Sequence, residues 1–211
     1  MDSIKSWFFA GIMRCGNHAI INWLAHSVNG QIIHYNNVNV TKYKQFKKFN
    51  PDKPLTHKFI SFENIAPQKC LDQNKTNIII LRDPYNWLAS YLKHKDFFEG
   101  AINIYVKLYE YMQEHPETTF ISFNEWFLSS SYRQDICDNL DVIMIADNMM
   151  NVSREGGGSS FDGLSFDGKA QNMGVLTRWK HYQHNTKYLA ILKRHPKLTE
   201  ISQQLFNFQP I

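Results

Sequence analysis

Two arginines stand where a cation can meet an anion. Arg14 lies inside Gly11-Ile-Met-Arg-Cys-Gly16, and Arg82 directly follows the apolar run Asn77 to Leu81. A guanidinium is permanently charged, and its flat fork matches the oxygens of a phosphate or sulfate. Ser90 comes eight residues after Arg82. If a helix starts near Pro84, that spacing sets a hydroxyl two turns in, able to meet the same anion as Arg82. The pair of arginines thus points to a ligand with two separate anionic groups. Each residue also has a plainer reading. Arg14 is then a surface side chain on a strand–helix turn, Arg82 a salt-bridge partner of Asp83, and Ser90 a small residue on a helix face.

The elements that must position these groups follow from the pattern. Trp7 to Ala10 is a short apolar run of buried-strand type, and Asn17 to Leu24 carries Ile20, Ile21, Trp23 and Leu24 at helical spacing. Strand, glycine turn and helix aim backbone N–H groups and a positive helix end at an anion, with Asn17 suited to the cap. The turn departs from the ATP-binding loop GxxxxGK[ST]: Gly11 and Gly16 have its spacing, but Asn17 and His18 replace its Lys and hydroxyl residue. The magnesium-holding hydroxyl is missing and the cation has moved to Arg14, which suits a phosphate ester bound without metal. Cys15, at a helix start, is expected to be acidified and reactive without being catalytic. A cysteine-phosphatase loop is excluded, because it needs Cys-x5-Arg and the sixth residue after Cys15 is Ile21.

Further along, Gln31 to Tyr35, His57 to Phe62, Asn77 to Leu81 and Thr118 to Phe123 read as strands. Helices are expected from about Tyr85 to Lys95 (with Asp83 as cap and Pro84 in the first turn), from Ile102 to His115 and from Ser131 to Leu140. Two more run from Leu176 to about Lys193 and after Pro196. The 36–56 segment is polar and rich in Lys and Asn, a loop or loosely helical excursion that is either a lid or a solvated surface. The 151–172 segment, with its duplication SFDGLSFDG, is expected to be a mobile loop. Alternating strands and helices predict a three-layer α/β/α domain with a mostly parallel sheet, spanning 1–211. Ligands bind such sheets at the carboxyl ends of strands, where Arg14, Glu63 and Arg82 all fall.

With 211 residues, 43% of them hydrophobic, the chain can bury one sizeable core. A net charge of +4 is compatible with an anionic ligand and does not require nucleic acid. Cys15, Cys70 and Cys137 form no CxxC pair, and no apolar run is long enough to span a membrane. A cytoplasmic protein is expected, with no nucleic-acid or membrane partner.

The two motifs together resemble the sulfotransferases that use 3′-phosphoadenosine 5′-phosphosulfate (PAPS). MRCGNHAI is similar to their 5′-phosphosulfate loop, which commonly reads PKSGTTWL or PRSGTTLL. IIILRDPYNWLASY is similar to their 3′-phosphate signature, a strand ending in Arg with a Ser eight residues later. PQKCLDQNKTNIIILR and ISFNEWF extend the likeness, which covers roughly Trp7 to Leu140. The departures are Cys15, Asn17 and His18, which stand where the family has Ser, Thr and Thr.

The resemblance implies a P-loop NTPase-like fold and transfer of a sulfuryl group from PAPS to a small-molecule or carbohydrate acceptor. Adenosine 3′,5′-bisphosphate (PAP) is the product, and no metal takes part. Arg14 and the backbone from Cys15 through Gly16, Asn17 and His18 to Ala19 would hold the 5′-phosphosulfate. Arg82 and Ser90 would hold the 3′-phosphate, with Arg154 as a third contact by a loose match to the family's Arg-Lys-Gly loop. Glu63 is the expected base, with His18 and His57 in reserve and Lys58 as a group that steers the sulfate. His181 and His184 read as ordinary helix-face residues. The rivals are a P-loop kinase, disfavoured by the missing Lys-[ST] pair and the lack of a Walker B carboxylate, and a non-catalytic binder of nucleotides or sulfated glycans.

Overall fold

The structure, a computed structural model, describes residues 4–38, 46–94, 98–144, 152 and 158–211. Six strands form one sheet: β1 (Lys5–Gly11), β2 (Gln31–Tyr35), β3 (Phe46–Phe49), β4 (Leu55–Glu63), β5 (Thr76–Leu81) and β6 (Thr119–Ser122). Their spatial order is β3-β2-β4-β1-β5-β6, and every pairing is parallel except that of β3 with β2.

Burial on both faces explains why the inner strands read as near-continuous apolar runs. Trp7, Phe9, Ile78 and Ile80 pack in one core with α1 (Asn17–Ser27), α4 (Phe123–Leu128) and α5 (Ser130–Asn139), through Ile20, Leu24, Trp126 and Ile136. The alternate residues Ala10, Ile79 and Leu81 pack in a second core with α2 (Pro84–His94), α3 (Glu99–Glu114), α6 (Thr186–Arg194) and α7 (Pro196–Phe206). Helices therefore cover both faces, as the three-layer expectation has it. Trp87 of α2 meets Tyr105 of α3 with ring centroids 4.8 Å apart, both fully buried. Burying each large ring contributes about 2–3 kcal/mol.

Two expectations are corrected. Part of the polar 36–56 segment is a strand: Phe49 is buried against the core opposite Ile32, while Lys47 and Lys48 stay exposed. That lysine-bearing edge suits the end of a sheet, where charge discourages further strand pairing. The single helix expected from Leu176 is two pieces, a 3-10 segment Val175–His181 and then α6. The break falls at Asn185, whose side chain accepts the Tyr188 N–H and starts a new helix. Among the described residues no helix is long and apolar enough to cross a membrane.

Candidate anion site at the carboxyl edge

Between β1 and α1 the chain turns sharply. Arg14 has φ 73° and Gly16 φ 90°, both in the left-handed region. A side chain at 16 is ruled out twice, since a Cβ would also sit 2.2 Å from the Phe123 ring. Four hydrogen bonds fix the turn: Cys15 N–H to Ile12 O (3.1 Å), Met13 N–H to Asn64 Oδ1 (3.2 Å), Trp87 Nε1–H to Met13 O (3.0 Å) and Asn17 Nδ2–H to Ile12 O (3.2 Å). The first is internal to the turn; the other three come from the residue after β4, from α2 and from α1, so the loop is set largely by the fold around it.

Gly16, not Asn17, caps α1; Asn17 is its first residue. Its amide turns back under the loop and donates to Glu63 Oε1 at 2.9 Å. Room for it comes from Gly11, where a Cβ would lie 2.4 Å from Asn17 Oδ1. Of the five loop amides expected to face an anion, those of Cys15 and Ala19 donate to Ile12 O and Gly16 O. The amides of Gly16, Asn17 and His18 are left for it, as helix first-turn amides commonly are. Cys15 is fully buried, and burial pushes its thiol up to about 12, so the expected acidified, reactive cysteine is not found.

Glu63 ends β4 level with Gly11, and its charge faces Arg14. His18 reaches Asn36 Oδ1 at 2.9 Å, on the β2 side of the loop. His57 is elsewhere. It pairs in register with Lys5 at the amino end of the sheet, about 20 Å from Glu63 at the ordinary strand rise, and rests edge-on against Trp7. The fold does not bring it, or the adjacent Lys58, to the loop.

Arg82 follows β5 and is buried, stacked 5.1 Å from the Phe123 ring. Asp83 is occupied otherwise: it accepts from Asn86 N–H (2.8 Å) and from the side-chain amides of Asn86 and Asn124. Arg82 Nη1 donates instead to Ser90 Oγ at 3.0 Å, and Nη2 to Val175 O.

A third arginine, unforeseen from the sequence, joins them. Arg178 Nη1 donates to the same Ser90 Oγ at 3.2 Å. Asn86 anchors the segment that carries it, donating to Leu176 O (3.0 Å) and accepting Trp179 N–H (3.2 Å). Both Ser90 lone pairs are thereby used, leaving its proton to donate. Arg82 Nε and Arg178 Nε are buried donors without a described acceptor. Burial lowers the pKa of both guanidiniums, and Arg178 lowers that of Arg82 further. Two like charges buried on one hydroxyl, with donors to spare, are a site for an anion. Arg154 lies outside the described residues.

The hairpin Ser159–Gly163 lies against both anion points. Arg178 Nη2 reaches Ser159 Oγ (2.5 Å) and Asp162 Oδ2 (3.2 Å), and Arg14 Nε reaches Ser160 Oγ (3.1 Å).

No protein-family model and no curated protein matches the chain. Among solved structures it is similar to mouse sulfotransferase SULT7A1 complexed with PAP, with a TM-score of 0.56 at 13% identity, over 97% of this chain and 86% of that one. The likeness is one of fold, three layers around a mostly parallel sheet. The likeness reaches the layers and the sheet; what the edge residues do is argued from their own geometry.

Proposed function

We propose that the chain is a sulfotransferase that moves the sulfuryl group of PAPS to a hydroxyl or amine of a small-molecule or carbohydrate acceptor, with residues 1–211 acting as one domain. The observation that carries this is the meeting of Arg82 and Arg178 on Ser90, one strand along the same sheet edge from the Gly11–Ala19 turn. Two separate anion points on one edge suit a nucleotide with phosphates at both ends of its ribose, and the buried, unpartnered Nε donors fit the 3′-phosphate. The PAP-bound neighbour in fold supports the same reading.

When bound, PAPS supplies an activated sulfuryl group. Arg82, Arg178 and the Ser90 hydroxyl hold the 3′-phosphate and so aim the other end. The free amides of Gly16, Asn17 and His18, with Arg14, are fixed donors for the charge that builds on the leaving phosphate. Glu63, oriented by Asn17, takes the acceptor proton; His18 stands on the other side of the loop. The three cysteines are free and buried, which fits the reducing cytoplasm in which we place the protein.

Calorimetric titration with PAP in the absence of magnesium, beside ATP with magnesium, tests the reading. PAP is expected to bind without metal, and Arg82→Ala to weaken it by roughly a hundredfold. ATP binding only with magnesium, and no PAP binding, would replace this reading with a P-loop kinase.

A further inference from the structure

The Ser159–Gly163 hairpin puts an acid in front of Arg178. Two backbone hydrogen bonds close it, each 3.0 Å, between Ser159 and Gly163, and Gly163 takes φ 56° to allow the turn. Asp162 Oδ2 accepts from Arg178 Nη2 at 3.2 Å, and the Phe161 ring lies 5.0 Å from the same guanidinium. The hairpin also holds Arg14 through Ser160. A single short turn thus engages both anion points.

The hydrogen-bond inventory of this turn decides what it does to an incoming anion. Ser159 Oγ donates its one proton to Asp162 Oδ2 at 2.8 Å and accepts from Arg178. A hydroxyl has one proton to give, and this one is taken. Ionised Asp162 is acceptor-only. Toward Arg178 the hairpin therefore offers lone pairs and negative charge, and a phosphate brought there would be repelled.

We propose that the hairpin is an internal occupant of the anion site: Asp162 holds Arg178 in the ligand-free protein and yields it to the 3′-phosphate of the nucleotide. This rests on the nucleotide reading above. The carboxylate supplies part of the negative charge that the arginine pair lacks, and the ligand gains the arginine only by exchanging with it. Asp162 thereby sets the affinity for the nucleotide and makes release of the bisphosphate product easier.

The test is PAP titration of the wild type, Asp162→Asn and Ser159→Ala, with amide hydrogen exchange of residues 158–165 measured with and without PAP. Asp162→Asn keeps the shape and removes the charge, and should bind PAP about tenfold tighter. Ser159→Ala removes the bond to Asp162, the bond from Arg178 and the bonds from the Phe161 and Asp162 amides, but no charge, and should give a smaller gain. In the wild type, PAP should speed exchange at Ser159 and Gly163. Equal or weaker binding by Asp162→Asn, or slower exchange of the hairpin on PAP, overturns the proposal while leaving the nucleotide reading intact. Failure of the wild type and both variants to bind PAP removes the nucleotide reading, and this inference with it.

Discussion

The two anion points of this edge are built in opposite ways. The Gly11–Ala19 turn is made of backbone: its donors are amides, its shape comes from left-handed residues at 14 and 16, and its stays are hydrogen bonds from neighbouring elements. The Arg82 corner is made of side chains, two guanidiniums and a hydroxyl, that meet across 88 residues of sequence between Ser90 and Arg178. A backbone site costs little to form once the fold exists. A corner of buried like charges opposes folding, Asp162 offsets only part of that cost, and a ligand of opposite charge is favoured there. We expect the corner to govern binding and the loop side to govern turnover.

That contrast can be broken or sharpened by substitution. Arg178→Ala should weaken PAP binding roughly a hundredfold, as expected for truncating a buried charged contact, in a calorimetric titration. Glu63→Gln should leave PAP affinity unchanged and lower turnover about a hundredfold with any accepted hydroxyl, followed by release of PAP. A fall in PAP affinity with Glu63→Gln would erase the division between the two points. Gly16→Ala should lower stability by about 2 kcal/mol or more in denaturant unfolding, since it meets a positive φ and the Phe123 ring together. Arg14 is only half-buried, so Arg14→Ala should weaken PAP by about tenfold. Smallest of all, Cys15 should resist iodoacetamide at pH 8 in the folded protein, because its thiolate forms only near pH 12, and should label on unfolding.

How much was legible follows the same division. The β1–turn–α1 unit and the Arg82–Ser90 spacing are local, so glycines, apolar runs and an interval of eight residues reveal them. Arg178 has no local signature. It sits in a 3-10 segment whose side chains read as a helix start, and only the packing of that segment on α2, through Asn86, carries it to Ser90. Asn17 suits a cap by type, yet it is already the first helical residue, and Gly16 in the left-handed conformation takes the cap position. His57 fitted by residue type and failed by position: its strand runs parallel to β1 and reaches the site only at its far end. The edge strand β3 hid in a run whose lysines read as loop.

The contact between Gly11 and Asn17 makes the two positions a single heritable character. A methyl group at 11 would displace the Asn17 side chain and its bonds to Ile12 O and Glu63, so a shorter residue at 17 would ease variation at position 11. Replacing Asn17 by a small hydroxyl residue would lift that bar and, in the same stroke, unhitch Glu63 from the loop. Change at Glu63 is therefore tied, through Asn17, to the first glycine of the turn.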